Sequence, residues 1–459
     1  MRAKEMGHMK TITVRFDRQS GQAVKPVHGI CNGPLSESGL IDTSAFYEEI
    51  GIPFIRLHDT DTPTSRTLVD ISRIFPNFDA DESDPANYFF EHTDQLLLAI
   101  DRLGAKPIYR LGESIDHSIF KRYARPPKDF EKWTRICVNI IRHYNEGWAG
   151  GFTLGISYWE IWNEPDLGNE MWDGGTAQQY RDLYKTAVAG IKALDPSLKV
   201  GGCALAGVLD FAEDFFRQCA REAIPLDFFS FHLYYRRMEQ LESYVTAIDR
   251  LLAKYGLSHV ERIFDEWNYF GSDDMPDLEL WRAIRDAGRG LVAKSLFETA
   301  QSEIGASFAA ASMIEMNRLP VDIATYYDGQ PKLRYCGLFD RYAVPQKTYH
   351  AFRAYGRLYR LGGRIVETQA QGEGLYVLAA AGEKKSGILI SNYGGESDYY
   401  TVDMKKLHPA RPIKAELYLL NHDRDLELER IEIYHGEDVA QTIRLENHTV
   451  CLIELTAAF

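Results

Sequence analysis

The sequence predicts a (β/α)8 barrel of the TIM type, followed by an antiparallel β-sandwich domain. Between about residues 24 and 320, a short apolar run, a polar turn and an amphipathic stretch follow one another, and eight such apolar runs occur. Strands that alternate with helices form parallel sheets, and eight units in roughly 300 residues match a closed α/β barrel. From about residue 360, apolar and polar residues alternate and are broken by Gly, Asn and Asp, which indicates an antiparallel β domain.

The eight apolar runs are the predicted barrel strands. In chain order they read PVHGICN, IPFIRLHD, KPIYRLGES, ISYWEIWNE, KVGGCALA, LDFFSFHLYY, RIFDEWNY and ASFAAASMIE. The stretches between them have helical periodicity; in TDQLLLAIDRL, for example, Leu96, Ile100 and Leu103 recur on one helical face. A doubly wound open sheet is the alternative architecture. The count of eight, and the lack of a Gly-rich dinucleotide turn after the first run, favour the barrel.

Three segments are expected from these patterns. Residues 1–18 contain the alternating stretch KTITVRFD, which is predicted to add a strand to the β-sandwich. Residues 19–358 form the catalytic barrel and residues 359–459 form the β-sandwich accessory domain. Since no low-complexity linker separates the two domains, we expect them to pack rigidly against each other.

Charge and composition exclude some classes of partner. The formal net charge is −14, which argues against nucleic acid or an anionic membrane surface as a general partner. The sequence contains no apolar stretch long enough for a membrane span. The first residues are charged and lack the apolar run of a signal peptide, so a cytoplasmic protein is expected, with a secreted form that has lost its leader as the alternative.

The cysteines are not arranged as metal ligands. None of the six belongs to a C-x-x-C motif, and none lies at zinc-finger spacing from a histidine. They are therefore predicted to be buried small side chains or free thiols, and no metal site is expected.

The active site of an α/β barrel lies at the C-terminal ends of the strands, so polar residues that end an apolar run are the candidates for function. These residues are Arg56, His58, Asp59, Glu113, Asn163, Glu164, His232, Tyr234, Glu266, Asn268 and Glu315.

Two glutamates among these candidates lie beside tryptophans, Glu164 in WNEP and Glu266 in FDEWNY. Glycoside hydrolysis requires a pair of carboxyl groups, one protonated and one ionised. Trp162 and Trp267 are predicted to contact the sugar, since an aromatic face can stack on a sugar ring and an apolar wall raises the pKa of an acid. Asp265 is a rival to Glu266, but strand alternation lets only one of the two point into the barrel mouth.

The motifs HGICNGP, IPFIRLHD, EIWNEP and FFSFHLYY, together with the glutamate that ends the seventh run, resemble glycoside hydrolase family 39 of clan A. That family includes β-xylosidases and α-L-iduronidases, and the resemblance covers nearly the whole chain. It implies a barrel with an appended β-sandwich and hydrolysis with retention of the anomeric configuration. It implies no metal or cofactor, and it permits homo-oligomers.

The resemblance also assigns roles to individual residues. Glu164 corresponds to the general acid/base and Glu266 to the nucleophile, with carboxyl groups about 5–5.5 Å apart. Asn163 corresponds to the residue that binds the sugar 2-hydroxyl. Further substrate contacts are expected from His58 and Arg56 on the second strand and from His232 and Tyr234 on the sixth.

The predicted substrate is a short β-linked oligosaccharide or glycoside, from which the terminal sugar is removed. A β-xyloside is the first substrate to test. Extra acids near the mouth, Glu113 among them, depart from the family pattern; Glu113 is therefore kept as a predicted substrate contact that would favour additional hydroxyl groups. Three alternatives remain open: another glycone (arabinoside, glucoside, galactoside or uronide) or an endo cut, a non-catalytic carbohydrate-binding barrel, and an α/β oxidoreductase.

Overall fold

The computed structural model describes residues 10–36, 39–60, 68–116, 121, 123–272, 275–285, 290–332, 334–407 and 412–457. Eight parallel strands close into a barrel within this part of the chain, which confirms the predicted fold class. The strands up to the end of the barrel are β1 (Lys10–Ala23), β2 (Gly29–Cys31), β3 (Leu35–Ser36), β4 (Ile41–Asp42), β5 (Phe54–Leu57), β6 (Lys106–Leu111), β7 (Tyr158–Ile161), β8 (Lys199–Leu205), β9 (Phe228–Tyr235), β10 (Glu261–Tyr269) and β11 (Ile323–Tyr326).

The barrel runs in the order β2, β5, β6, β7, β8, β9, β10, β11 and closes by pairing β11 with β2. The short strands β3 and β4 form a separate antiparallel pair. Large apolar side chains from the first halves of six of the eight strands fill the N-terminal end of the barrel: Phe54, Ile108, Tyr158, Phe228, Ile263 and Ile323. Because this plug closes one end, the polar residues collect at the other.

Helices surround the barrel. They are α1 (Ser44–Ile50), α2 (Ile71–Ile74), α3 (Glu91–Arg102), α4 (Phe130–Glu146), α5 (Ala177–Leu194), α6 (Leu209–Glu222), α7 (Met238–Lys254), α8 (Asp277–Arg285), α9 (Gly290–Gln301), α10 (Glu303–Arg318) and α11 (Lys347–Tyr359). Local signals fix several starts: Asp129 caps α4 by accepting from the Lys132 N–H, and Thr176 and Gln179 form a capping box at α5. None of the helices in the described part of the chain is long and apolar enough to cross a membrane.

The predicted eighth strand is wrong. Its run, ASFAAASMIE, lies within α10, and the eighth strand is β11, a few residues downstream. Helix α10 packs against both the barrel and the β-sandwich, so it is buried all round and lacks an amphipathic period, while its alanines favour a helix. Glu315 therefore lies on this helix, paired with Arg318, and does not end a strand.

A nine-stranded sheet forms the second domain. Its remaining strands are β12 (Arg364–Ala370), β13 (Leu375–Ala381), β14 (Lys385–Asn392), β15 (Asp398–Lys405), β16 (Ile413–Leu420), β17 (Asp425–Tyr434), β18 (Val439–Leu445) and β19 (Thr449–Ala457). Strand β1 lies in this sheet between β12 and β15, antiparallel to the first and parallel to the second. Its alternate residues Ile12, Val14 and Phe16 are buried in the sandwich core. All six cysteines are buried free thiols, as predicted.

Candidate active site

The loop after β7 brings two neighbouring residues to the C-terminal mouth of the barrel. Strand alternation would send the adjacent side chains of Asn163 and Glu164 to opposite sides. The strand ends at Ile161, however, and Trp162 and Glu164 have φ angles of 68° and 45°, which breaks the alternation. Asn163 therefore contacts Arg56 and Glu164 contacts His232, both at the barrel axis.

A β-bulge on β10 has the same effect. In the pairing of β10 with β9, Phe264 is opposite Phe231 and Glu266 is opposite His232, so Asp265 is the extra residue. Both acids consequently point into the barrel: Asp265 approaches the Arg56 guanidinium to 2.8 Å, and Glu266 approaches it to 3.1 Å. Strand alternation therefore fails on β10, although of the two side chains only that of Glu266, 8% exposed against 0% for Asp265, opens toward the mouth.

Glu164, His232 and Glu266 meet at one point. One donor atom from each lies within 4.8 Å of the others. His232 Nδ1 is 2.7 Å from Glu164 Oε1 and 3.8 Å from Glu266 Oε2. Strands β7 and β10 are three positions apart around the barrel, so residues distant in sequence become neighbours across its mouth.

Arg56 on β5 is the centre of the buried charges. Its side chain is fully buried, and it approaches Glu160 to 2.8 Å in addition to Asp265 and Glu266. It also donates to Asn163 Oδ1 at 2.6 Å. Buried carboxylates are stable only when they are paired in this way, so Arg56 both neutralises and orients the acids.

The ionisation of Glu266 reflects opposing influences. Burial raises its pKa and so does the nearby Glu164 carboxylate, whereas His232, Arg56 and the Tyr234 hydroxyl lower it, and the balance is a pKa of about 7. Tyr234 donates to Glu266 Oε1 at 2.5 Å. Glu164 is the more open of the two carboxyl groups, with 13% of its side chain exposed against 8% for Glu266. The pair can therefore hold one proton near neutral pH.

His58 follows β5 and is held as a neutral imidazole. Burial lowers its pKa well below the ordinary value, and the charge of Arg110 lowers it further. Arg110 Nε lies 3.3 Å from His58 Nδ1, and since a guanidinium only donates, Nδ1 is the acceptor and Nε2 carries the proton. Asp70 and Ser114 hold Arg110 from the opposite side.

Two predicted aromatic contacts are wrong. Trp267 is completely buried between the barrel and its helices, where it packs against Phe308 and Phe352. Trp162 is 1% exposed, lies edge-on to Trp172 and donates its indole N–H to the Met171 carbonyl. Neither ring offers a face to a sugar. Both shape the barrel wall instead.

Glu113 also fails as a substrate contact. Its carboxylate accepts from the backbone N–H and the hydroxyl of Ser72, at 3.0 and 2.5 Å, at the start of α2. Burial raises its pKa well above the ordinary value. The residue therefore holds α2 against the end of β6.

Sequence reasoning missed Glu160 and Trp281, and it considered Asp265 only as a rival of Glu266. Glu160 and Asp265 are fully buried beneath the carboxyl pair, and Trp281 of α8 lies edge-on to Tyr234 at 5.5 Å. The one available signal was Glu160, a charge inside the apolar strand YWEIW. Nothing in the sequence marks the bulge at Asp265, and Trp281 lies in a helix, where the strand-end rule does not apply.

The cluster of Glu164, His232 and Glu266 has donor atoms close enough to hold a divalent cation. The guanidinium of Arg56, 3.1 Å from Glu266, already supplies a positive charge at that point. A carboxyl pair that shares one proton, lined by cationic donors, is suited to general acid/base and nucleophilic chemistry.

Comparison with known proteins places the chain in a family. Residues 42–273, half of the chain, match the model for glycosyl hydrolases family 39. The chain is 27% identical over 360 residues to a beta-xylosidase of Geobacillus stearothermophilus, covering 71% of this chain and 67% of that one. It is 24% identical over 466 residues to a beta-xylosidase of Caldicellulosiruptor saccharolyticus, covering 93% and 86%.

Among solved structures, a glucosidase from Croceicoccus marinus superposes with a TM-score of 0.81 at 22% identity, covering 98% of this chain and 99% of that one. This likeness extends over both domains and shows the shared fold. The family match establishes that the chain is a glycosidase belonging to glycosyl hydrolases family 39.

Proposed function

We propose that this chain is a retaining exo-glycosidase that removes the terminal sugar from short β-linked oligosaccharides, with β-xylosides as its first substrates. The observation that carries the proposal is the proximity of Glu164 and Glu266: one carboxylate oxygen of each lies within 4.8 Å of the other. Retaining enzymes hold their carboxyl groups about 5–5.5 Å apart, whereas inverting enzymes need roughly 6.5–9.5 Å to admit a water. The short spacing favours direct attack by a carboxylate.

Glu266 is proposed as the nucleophile and Glu164 as the acid/base. Arg56 and Tyr234 both donate to Glu266, which stabilises its anionic form and aims the carboxylate. Glu164 is the more exposed of the two and can reach the departing oxygen at the mouth. Glu266 attacks the anomeric carbon as Glu164 protonates the leaving group, and Glu164 then deprotonates the water that releases the sugar.

Asn163 is proposed to bind the hydroxyl next to the anomeric carbon. Its Oδ1 accepts from Arg56 at 2.6 Å, which turns the amide nitrogen away from the guanidinium. That nitrogen is buried and has no hydrogen-bond partner in the part of the chain that the structure describes. A buried amide N–H is costly when unpaired, so a substrate hydroxyl would complete its hydrogen bonding.

The proposed glycone rests on the two relatives named beta-xylosidases. A panel of nitrophenyl β-xyloside, β-glucoside, β-galactoside, α-arabinoside and glucuronide tests it. We expect the highest kcat/KM on the xyloside and, by NMR, release of the β-anomer first. A higher value on the glucoside would move the glycone to that of the structural neighbour from Croceicoccus marinus, and release of the α-anomer would overturn the retaining mechanism. If calorimetry shows that xylose-containing sugars bind but no cleavage is detected, the chain would be a non-catalytic carbohydrate-binding barrel.

The pH dependence follows from the shared proton. The active form of the pair holds one proton, and the last proton leaves with a pKa of about 7 because burial and the Glu164 carboxylate raise the pKa of Glu266. We therefore expect kcat/KM to fall as the pH rises through about 7. A pH profile of kcat/KM between pH 4 and 10 measures this, and a basic limb above pH 9 would contradict the assignment.

A further inference from the structure

Asp265 lies beneath the carboxyl pair, in a position that the β-bulge creates. It is completely buried, and its carboxylate lies 2.8 Å from Arg56 Nε and 3.5 Å from His232 Nε2. Burial raises its pKa, but Arg56 and His232 outweigh burial and hold the pKa below the ordinary value. Arg56 and His232 thus favour the anionic form of Asp265, which is completely buried and does not itself reach the barrel mouth.

His232 bridges Asp265 to the proposed acid/base. Its Nε2 faces Asp265 Oδ1 at 3.5 Å and its Nδ1 faces Glu164 Oε1 at 2.7 Å. When Glu164 is ionised, after the first step of the reaction, a neutral imidazole would turn an unprotonated nitrogen toward one of the two carboxylates. Only the imidazolium then presents an N–H to each of them, in a hydrogen bond to Glu164 and a longer ion pair with Asp265. The ring is 1% exposed, so bulk solvent screens these two contacts little.

The other groups around His232 fit a protonated ring. Glu266 Oε2 lies 3.8 Å from Nδ1, whereas Arg56 and neutral His58 are the basic groups nearby. Burial lowers the pKa of His232, but Glu266 and Asp265 outweigh it and raise the pKa well above its ordinary value. Burial raises the pKa of Glu160, beside Asp265, to about 8, which favours its neutral form more than burial does for Asp265. Asp265 therefore contributes the negative charge on that side of the ring.

We propose that Asp265 is a positioning residue of the reaction: it keeps His232 protonated and turned toward Glu164, and so sets the pH range in which the carboxyl pair holds its shared proton. This inference rests on the proposed roles of the two glutamates. In the first step the proton of Glu164 passes to the departing oxygen, and the new carboxylate accepts a hydrogen bond from His232 Nδ1. In the second step Glu164 takes a proton from the attacking water. His232 keeps both of its protons throughout.

Two measurements test the proposal. In ¹⁵N-histidine-labelled wild-type protein, with signals assigned through His232→Gln, His232 is expected to remain protonated up to pH 8. In Asp265→Asn it is expected to lose its proton at least about one pH unit lower, because the nearby anion is gone. Since the imidazolium is 2.7 Å from Glu164, its loss should also shift the basic limb of kcat/KM upward by about one pH unit.

Asp94→Asn is the matched control. Asp94 lies 3.0 Å from His143 Nε2 in the helical layer, so this variant breaks an Asp–His pair of the same kind outside the site. The control should leave the pH profile in place. The proposal is overturned if Asp265→Asn folds and the basic limb of its pH profile of kcat/KM lies at the wild-type pH. This holds even if kcat/KM itself is lower, because Asp265 would then have only a structural role.

The inference and the proposed function can fail separately. Neutral His232 in the wild-type protein at pH 8 overturns the inference alone, even if Asp265→Asn does not fold. Absence of glycosidase turnover in the wild-type protein overturns the proposed function while the state of His232 is still measured. If Glu266→Gln retains activity, the roles of the two glutamates fail, and with them the link from Asp265 to catalysis.

Discussion

Replacing Glu266 by Gln is expected to lower kcat on a nitrophenyl β-xyloside by roughly four to six orders of magnitude, the loss typical when an essential nucleophile is removed. The amide has the same size but carries no negative charge, so it cannot form the glycosyl ester. Its NH2 group would also face the Arg56 guanidinium, which lies 3.1 Å from the native carboxylate. Steady-state kinetics with a circular-dichroism check of folding measures the effect.

Glu261→Gln is the matched control for this variant. Glu261 starts the same strand, β10, and pairs with Lys199 and Tyr158 at the opposite end of the barrel. The same chemical change should leave kcat within about twofold, since surface ion pairs contribute little. Equal losses in both variants would show that Glu266→Gln acts through the stability of β10. Activity retained in Glu266→Gln would remove Glu266 as the nucleophile.

A covalent trap supplies an independent readout. In a 2-deoxy-2-fluoro glycoside the fluorine slows both the attack on the sugar and its release from the enzyme. A good leaving group keeps the attack fast enough that the glycosyl-enzyme accumulates. Peptide mass spectrometry of the wild-type protein is expected to find the sugar on Glu266. Labelling of Asp265 instead of Glu266 would show that Asp265 is the nucleophile.

The parts of the site that the sequence predicted depend on the regularity of the barrel. Parallel strands end at one rim, so the polar residues that follow IPFIRL, YWEIW and FFSFHL had to come together there. Arg56, Glu164, His232 and Glu266 do so in the structure. The prediction needed only strand order and direction, and both follow from alternating βα units.

The failures have a different physical origin. The bulge on β10 is a backbone feature without a characteristic residue, so the inward turn of Asp265 could not be read from alternation. The same bulge explains why the side chain of Trp267, the residue after Glu266, points outward to the helices. Helix α10 was taken for a strand because burial on all sides removes the periodicity by which a helix is recognised.

Replacing Glu164 by Ala is expected to separate substrates by their leaving groups. A poor leaving group, such as the sugar of a xylo-oligosaccharide, needs the proton and should react about 10²–10⁴-fold more slowly. A dinitrophenolate leaves unaided, so attack by Glu266 continues at nearly the wild-type rate. Release of the sugar then becomes limiting, because no carboxylate activates the water. Pre-steady-state kinetics should therefore show a burst of dinitrophenol equal to the enzyme concentration.

Azide sharpens this test because it needs no general base. Truncation of Glu164 to Ala leaves a space at the mouth beside His232. In the native protein His232 Nδ1 lies 2.7 Å from the Glu164 carboxylate, so in the variant it can bind an anion in that space. We expect azide to restore turnover of the dinitrophenyl glycoside and to yield the β-glycosyl azide, since two inversions retain the configuration. Glu170→Ala, a carboxylate removed from the same loop, should give neither the burst nor the rescue. Equal losses on both leaving groups in Glu164→Ala would mean that the proton comes from another group, and formation of the α-azide would mean that Glu266 never binds the sugar covalently.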